Sequence, residues 1–142
     1  MIGKFPAKMD DKGRLFVPAK LRQELGEQFF VTYGFNGGHK CLTAYTADDW
    51  QSMIENFNKL SITQRSGAAS LIFINAAECT PDKQSRFGLT QNLLNYAGIE
   101  REVLIVGRAG QAEIWDAAEY EAFEAENLSP EKLLASLEAI GL

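Results

Sequence analysis

The start of the chain carries the alternation of a strand, a turn and a second strand. Phe5, Ala7 and Met9 alternate with polar residues, as a half-buried strand does. The sequence Asp-Asp-Lys-Gly at residues 10–13 supplies turn chemistry, and apolar residues return at 15–17. This pattern predicts a β-hairpin.

A short helix is predicted directly after this hairpin. Pro18 suits the first turn of a helix, because proline has a fixed φ and no N–H to leave unpaired. Leu21 and Leu25 then lie four residues apart on one face. Gly26 follows, as is common just after a helix, so we expect one or two helical turns.

Two strands and a longer helix come next. Residues 29–33 and 41–45 are rich in β-branched and aromatic side chains, and a glycine-rich turn joins them. Thr46, followed three residues later by Asp49, predicts a helix N-terminus. One side of this helix carries four large apolar residues: Trp50, Met53, Ile54 and Phe57.

The remaining segments are a connector, a strand and a C-terminal helix. Residues 61–70 are predicted to be helical or irregular, whereas the apolar and β-branched content of residues 71–80 predicts a strand. Ser129 and Pro130 begin a final helix. The apolar stripe of this helix consists of Leu133, Leu134, Leu137 and Ile140. This stripe favours packing into the core, with a subunit contact as the alternative.

Residues 10–26 recur at residues 82–98 with a constant offset of 72 residues. Four identities hold this alignment: Asp10 with Asp82, Arg14 with Arg86, Leu21 with Leu93, and Gly26 with Gly98. Each copy is followed by two strand-like stretches and a capped helix. We therefore predict two homologous halves, residues 1–60 and 72–127, and a C-terminal helix over residues 128–142.

Charge is distributed unevenly along a chain whose net charge is −5. Residues 4–22 hold six basic and two acidic side chains, whereas residues 111–142 hold one basic and eight acidic side chains. Such asymmetry is typical of a nucleic-acid face with an acidic back, or of complementary ends that meet in an assembly.

Candidate catalytic and metal-binding groups are few. His39 is the only histidine, and we interpret it as a residue of the glycine-rich turn, since no serine or cysteine partner is evident. The acidic pairs at residues 10–11 and 48–49 lack the spacing of a calcium loop. Residues 107–110 fit no nucleotide fingerprint and predict a hairpin turn. We expect a protein that is not an enzyme and has no cofactor or metal.

The two cysteines point to a reducing compartment. Cys41 and Cys79 lie far apart without Cys-x-x-Cys spacing, which predicts buried free thiols. No apolar run approaches the roughly 18–20 residues of a membrane span, and the N-terminus lacks the apolar core of a secretory signal. We expect a cytoplasmic protein with a packed core, since 46% of its residues are hydrophobic.

The repeated Asp-x-x-x-Arg places an arginine at the same position after each predicted turn. The guanidinium group of Arg14 or Arg86 can contact phosphate oxygens or the O6 and N7 atoms of guanine. Asp10 and Asp82 can hold the turn or orient the arginine. The alternative is an internal salt bridge that only fixes the hairpin, and the spacing favours neither role over the other.

These motifs, DDKGRLFVPAKLRQELG, DKQSRFGLTQNLLNYAG and the downstream EIWD, resemble those of the MraZ family of bacterial transcription regulators. The resemblance extends over almost the whole chain. It implies an α+β fold of two tandem AbrB-like swapped-hairpin halves that form a compact, β-barrel-like core with flanking helices. It also implies a ring-shaped, octamer-like homo-oligomer.

The resemblance further implies a DNA-binding regulator, a repressor that acts at the nucleoid. Its targets would be repeated promoter elements ahead of the division and cell-wall gene cluster, including its own promoter. The alternative is an oligomeric protein-interaction or antitoxin-like module without direct DNA readout. The DNA-binding residues that the resemblance implies are Lys8, Asp10, Lys12, Gly13, Arg14, Asp82, Lys83 and Arg86.

The second motif departs from the family pattern at two positions. Ser85 stands where the pattern has glycine, and Thr90 stands where it has proline. Serine enters a turn with positive φ less readily than glycine, so we expect a different turn type in the second hairpin. Thr90 is expected to cap the following helix in place of the proline.

Overall fold

A computed structural model describes residues 1–142 and places them in eight strands and seven helices. The strands are β1 (Ile2–Lys8), β2 (Arg14–Phe16), β3 (Phe29–Asn36), β4 (His39–Thr46), β5 (Ala77–Cys79), β6 (Arg86–Gly88), β7 (Glu102–Arg108) and β8 (Gln111–Asp116). The helices are α1 (Ala19–Leu25), α2 (Ala47–Asn58), α3 (Ile62–Arg65), α4 (Ala68–Ile74), α5 (Gln91–Ala97), α6 (Ala117–Asn127) and α7 (Pro130–Ile140).

The two halves of the chain exchange strands. Six strands form one antiparallel sheet in the order β1-β7-β8-β4-β3-β5, and β2 and β6 form a separate two-stranded ribbon. Strand β1 of the first half pairs along its whole length with β7 of the second half, and β5 pairs in return with β3. The predicted α+β class with swapped hairpins is confirmed. The sheet stays open, so its compact core is not enclosed by a barrel.

The predicted hairpin at the start of the chain is wrong in its pairing. A turn does join β1 to β2, but β1 hydrogen-bonds to β7 and β2 hydrogen-bonds to β6. The reason lies in Leu15 and Phe87, which stand opposite each other in the β2–β6 ribbon and are 0% and 5% exposed. Pairing β2 with β6 brings these two apolar side chains together over the sheet, which pairing within one half would not do.

The main core lies between one face of the sheet and a layer made of the ribbon, α1 and α5. The rings of Phe29 on β3 and Phe87 on β6 meet edge to face, with their centroids 5.2 Å apart. Leu21 and Leu25, predicted to share the buried face of α1, are both in this core. Thr90 caps α5 as predicted, because its side chain accepts a hydrogen bond from the backbone N–H of Leu93 at 3.4 Å.

Helices α2, α4 and α6 cover the other face of the sheet. Trp50 of α2 stacks on Phe30, and Phe73 of α4 packs against Trp50 and Phe57. The strand predicted over residues 71–80 is therefore wrong in its first part, which belongs to α4. Within α4, Phe73 is partly buried against α2 whereas Leu71 and Ile74 are exposed, and only Ala77–Cys79 forms a strand.

A buried carboxylate joins the two halves beneath α6. Glu113 on β8 is 2% exposed, and its carboxylate accepts hydrogen bonds from Asn36 Nδ2 and Trp115 Nε1, each at 3.2 Å. Arg108 Nε lies 3.2 Å from the same group and balances its charge. Asn36 belongs to the first half, whereas Trp115 and Arg108 belong to the second, so the carboxylate of Glu113 links side chains of both halves.

The predicted free cysteines are confirmed. Cys41 is buried beside Glu113, Cys79 is buried on β5, and neither forms a disulfide. Burial raises the pKa of both thiols to about 12, so both stay protonated at neutral pH.

The C-terminal helix α7 begins at Pro130 as predicted but packs into no core. All four residues of its apolar stripe are exposed, up to 83% for Ile140, so the favoured prediction of core packing is wrong. A subunit contact stays a prediction. None of the helices has the length and apolar character that a membrane crossing requires.

The prediction that His39 belongs to the glycine-rich turn is wrong. The turn consists only of Gly37 and Gly38, and His39 is the first residue of β4. Its Nδ1 lies 2.7 Å from Glu119 and its Nε2 lies 2.6 Å from Glu126, both on α6. Two ring nitrogens that face two carboxylates can both donate only when the ring is protonated. The hydrogen bond to Glu119, followed by that to Glu126, accordingly raises the pKa of His39 above its usual value.

The two loops of the Asp-x-x-x-Arg motifs, residues 10–14 and 82–86, have the same backbone turn. The N–H of Gly13 donates to the Asp10 carbonyl at 3.0 Å, and the N–H of Ser85 donates to the Asp82 carbonyl at 2.9 Å. Gly13 has φ +72° and Ser85 has φ +62°. The predicted difference in turn type is therefore wrong, because Ser85 adopts the left-handed conformation that its glycine counterpart has.

Replacing Ser85 with glycine should stabilise the protein by about 0.5–1 kcal/mol, because glycine removes the cost of the left-handed conformation but loses more chain entropy on folding. Gly13→Ser should destabilise it by a similar amount, since a Cβ at Gly13 meets nothing within 4 Å and only the backbone conformation matters. Urea unfolding measures both effects. Ser66→Gly, at φ −85°, is the control and should give no gain. A Ser85→Gly protein no more stable than wild type would contradict this account.

The contacts of His39 with α6 should make stability depend on pH. The folded-state pKa of His39 is raised above its unfolded value. The contribution of His39 to the free energy of unfolding is therefore complete below the unfolded pKa and is lost as the pH rises through the folded pKa. The difference in unfolding free energy between wild type and His39→Gln should therefore be largest below the ordinary pKa of histidine, about 6.5, and should shrink as the pH is raised above it. Urea unfolding across this range measures it, and a constant difference would argue against a charged histidine.

Candidate nucleic-acid interface

The β2–β6 ribbon places both motif arginines on one outer surface. Its register pairs Arg14 with Gly88, Leu15 with Phe87, and Phe16 with Arg86. Leu15 and Phe87 point into the core, so by the alternation of a strand the other four residues face outward. Arg14 and Arg86 thus stand diagonally across one short ribbon.

The first loop holds its arginine through the Asp10 carboxylate. Asp10 Oδ1 accepts hydrogen bonds from the backbone N–H of Lys12 at 2.9 Å and of Arg14 at 2.8 Å. Its other oxygen, Oδ2, accepts a hydrogen bond from Arg14 Nε at 2.9 Å. One carboxylate therefore closes the turn and orients the guanidinium group.

The second loop repeats this arrangement atom for atom. Asp82 Oδ1 accepts from the backbone N–H of Gln84 at 2.8 Å and of Arg86 at 2.9 Å, and Oδ2 accepts from Arg86 Nε at 3.1 Å. Each loop is also tied to the opposite strand end. The N–H of Val17 donates to the Ser85 carbonyl, and the N–H of Leu89 donates to the Gly13 carbonyl.

Both aspartates are held in their charged form. The backbone hydrogen bond from Arg14 is the largest cause that lowers the pKa of Asp10, and the side-chain hydrogen bond and charge of Arg14 act in the same direction. The corresponding groups of Arg86 and Gln84 lower the pKa of Asp82. The two carboxylates therefore stay ionised, and keep their hold on the arginines, throughout the neutral range.

The terminal amino groups of both arginines form no hydrogen bond within the chain. Only Nε of Arg14 and of Arg86 is bonded within the chain, and the two side chains are 30% and 26% exposed. A guanidinium held at Nε keeps a planar pair of N–H donors that suits a phosphate or a guanine edge. The aspartates thus orient these arginines through Nε and leave their terminal N–H groups without a partner in the chain.

The predicted lysines lie around the ribbon with little pairing of their own. Lys12 and Lys83 sit in the two loops, are exposed and form no ion pair. Lys8 ends β1 just before the first loop and lies 3.8 Å from Glu102, a loose exposed contact. The ammonium groups of Lys12 and Lys83 are therefore unpaired, and that of Lys8 is held only by this exposed contact.

Acidic helix α6 lies on the opposite side of the sheet from the ribbon. Ile114 of β8 faces the core beneath the ribbon, and its neighbour Trp115 faces the other way, against Phe123 of α6. Lys4 reaches Glu124 of this helix at 2.6 Å. The ribbon side is therefore separated from the acidic residues of α6.

Phe16 and Gly88 are outward-facing ribbon residues that were not among the predicted site residues. Phe16 is 57% exposed although it lies beside a fully buried leucine. The sequence does contain a signal for Phe16. Because side chains alternate along a strand, a strand that buries Leu15 and Val17 turns Arg14 and Phe16 outward. Elsewhere in the chain, no three histidine, cysteine or acidic side chains are grouped to hold a metal ion.

Comparison with known proteins agrees with this two-part architecture. The family profile described as "MraZ protein, putative antitoxin-like" matches residues 2–71 and, a second time, residues 72–137. The two matches together extend over almost the whole chain and meet within α4.

Relatives from two bacteria are similar to this chain over their full length. A protein named Transcriptional regulator MraZ from Caldicellulosiruptor saccharolyticus is 37% identical over 145 residues, which cover 100% of this chain and 99% of the relative. One of the same name from Acetivibrio thermocellus is 34% identical over 143 residues, covering 99% and 98% of the two chains. With its repeated profile match and these full-length relatives, the chain belongs to the MraZ family.

Proposed function

We propose that the protein is a sequence-specific DNA-binding regulator of transcription that contacts DNA through the β2–β6 ribbon. We base this on one observation: two arginines, each fixed at Nε by an aspartate, stand on the outer face of one narrow ribbon. The major groove of B-DNA, about 12 Å wide, admits a two-stranded ribbon, and arginine to guanine is its commonest specific contact.

The ribbon geometry suits the spacing of bases. Arg14 and Arg86 are separated by two residues along the ribbon and by one strand across it, which puts their Cα atoms about 8 Å apart. Successive base pairs rise by about 3.4 Å, so the two arginines span about two base-pair steps. Because each side chain is oriented before binding, less conformational entropy is lost on contact.

The residues around the arginines have supporting roles. Lys8, Lys12 and Lys83 contact phosphate groups, which position the ribbon without reading sequence. Asp10 and Asp82 orient the arginines and close the loops. Gly13 allows the first loop to approach the DNA backbone closely, because it carries no side chain.

The proposal extends to a biological setting. We propose a repressor that binds repeated promoter elements ahead of the division and cell-wall gene cluster, including its own promoter, in the cytoplasm at the nucleoid. It acts by binding and not by catalysis. The names of its relatives, which are called transcriptional regulators, support the regulatory part.

Several protomers are needed in this proposal, because one ribbon offers few contacts. A homo-oligomeric, octamer-like ring would let neighbouring ribbons engage repeated elements together, which raises affinity without new contacts per protomer. Residues 1–60 and 72–127 would supply the two motifs of each ribbon. Residues 128–142, whose apolar stripe is exposed in the single chain, are available for a subunit contact.

A second candidate function is an interaction or antitoxin-like module in which the arginines bind carboxylates of another protein. The exposed apolar stripe of α7 and the words "antitoxin-like" in the family description favour it. The two functions differ in salt dependence. Phosphate contacts release condensed counterions, so the logarithm of DNA affinity falls steeply and linearly with the logarithm of salt concentration.

Arg14→Ala and Arg86→Ala should each weaken specific DNA binding by about 1–3 kcal/mol, because each removes a base-reading guanidinium group. Fluorescence anisotropy with the DNA upstream of the protein's own gene, repeated at several salt concentrations, measures affinity and salt slope together. Circular dichroism checks that both variants stay folded.

Arg65→Ala is the matched control for these variants. Arg65 lies in α3, against the helices on the sheet face opposite the ribbon, so its loss removes one positive charge without touching the proposed interface. Its affinity should stay near that of wild type. Equal affinity for wild type and both motif variants would rule out the ribbon as the DNA surface. If Arg65→Ala weakened binding as much as the motif variants do, the loss of affinity would reflect only the change in net charge.

Asp10→Asn should lower specificity more than it lowers affinity. The asparagine oxygen can still accept the backbone N–H groups of the loop, but its amide cannot accept from Arg14 Nε, so the arginine loses its orientation. Removing a negative charge also favours DNA of any sequence. The ratio of specific to non-specific affinity, measured by competition with unrelated DNA, should therefore fall. An unchanged ratio would show that the aspartate serves only the fold.

A further inference from the structure

The outer face of the β2–β6 ribbon departs from the symmetry of the two halves at one position. With the offset of 72 residues, Arg14 corresponds to Arg86 and Leu15 to Phe87, so charge outside and apolar character inside are conserved between the halves. Phe16 corresponds to Gly88, which replaces a large apolar ring with no side chain at all. The two ends of the ribbon therefore offer different surfaces.

Each arginine has a different neighbour across the ribbon. Phe16 stands opposite Arg86, whereas Gly88 stands opposite Arg14. A Cβ placed on Gly88 would lie 3.9 Å from Arg14 Cγ, so that position is directly beside the arginine stem and is empty. Arg86 thus shares its end of the ribbon with a phenyl ring, and Arg14 has open space beside it.

The ring of Phe16 is poorly placed for folding alone. It is 57% exposed on a surface that also carries two arginines, and the buried positions beside it are filled by Leu15 and Val17. An exposed ring gains little from the hydrophobic effect within the chain. A ligand that covers this face would bury it together with the arginines.

We propose that Phe16 determines specificity by packing against the 5-methyl group of a thymine next to the base that Arg86 contacts. This inference rests on the proposed function. The thymine methyl is the one apolar group that base pairs present in the major groove, and phenylalanine is among the side chains that pack against it. Residues opposite each other in an antiparallel pair are about 5 Å apart at Cα, or about one and a half base-pair steps, so the ring of Phe16 is within reach of the base next to the one that Arg86 contacts.

The proposal makes the two ends of the ribbon read different sequences. At the Arg86 end, the guanidinium and the Phe16 ring together select a contacted base and a neighbouring thymine. At the Arg14 end, Gly88 leaves the neighbouring base pair without an apolar contact. The bound DNA element is therefore asymmetric even though the two Asp-x-x-x-Arg loops have the same geometry.

Thymine methyl groups can be removed one at a time to test this. A binding sequence is first selected from randomised DNA with the wild-type protein, and each thymine is then replaced by deoxyuridine, which lacks only the 5-methyl group. One replacement should weaken wild-type binding about fourfold, the value of one buried methyl group. The same replacement should have no effect on Phe16→Ala, so the two changes form a double-mutant cycle.

Gly88→Phe provides the converse test. A ring at this exposed position, opposite Arg14, should create a new preference for thymine beside the base that Arg14 contacts, seen as a second sensitive deoxyuridine position after reselection. Size-exclusion chromatography of Phe16→Ala checks for a role in assembly. The proposal is overturned if Phe16→Ala keeps the wild-type deoxyuridine sensitivity, or if no thymine methyl affects wild-type binding. Loss of the proposed function itself is distinct, because Arg14→Ala and Arg86→Ala would then bind normally.

Discussion

Backbone pairing between the two halves is the constraint on which the rest of the structure depends. Because β1 pairs with β7 and β5 pairs with β3, each motif loop leads out of a strand that is hydrogen-bonded to a strand of the other half. The following strands, β2 and β6, are then paired only with each other. Leu15 and Phe87 fasten this ribbon to the core, and the alternation of the strand turns Arg14 and Arg86 outward. Neither half can present its arginine in this setting alone.

Much of the local structure follows from the sequence because its signals are local. Pro18, Thr46 and Thr90 mark helix starts through backbone geometry or side-chain capping, and the structure places helices after all three. The strand exchange does not follow in this way. Alternation of apolar residues states which side of a strand is buried, but not which strand lies beside it. The hairpin predicted from β1 and β2 was wrong for that reason.

The errors elsewhere have physical causes of the same kind. In α4, Phe73 packs against Trp50 while Leu71 and Ile74 are exposed, and α7 is apolar although nothing in the chain covers it. Composition alone therefore predicted neither the helix at residues 71–74 nor the exposure of α7. Ser85 takes a positive φ because the Asp82 hydrogen bonds and the bond from Val17 close the loop around it. The repeat revealed the aspartates and arginines of the site, since these residues recur, whereas the counterpart of Phe16 is Gly88 and the repeat therefore gives no signal for it.

The salt bridge, which the structure shows, and the proposed binding role, which the sequence presents as its alternative, are compatible uses of one group. Each aspartate gives one oxygen to backbone N–H groups of its loop and the other to an arginine Nε. Ion pairs at this degree of exposure contribute little to folding, so stability alone explains neither pair well. What each pair does supply is direction, because it holds a planar group with its terminal N–H donors free. A fixed arginine on a ribbon anchored at its centre by Leu15 and Phe87 can discriminate between ligands that a mobile lysine would bind equally.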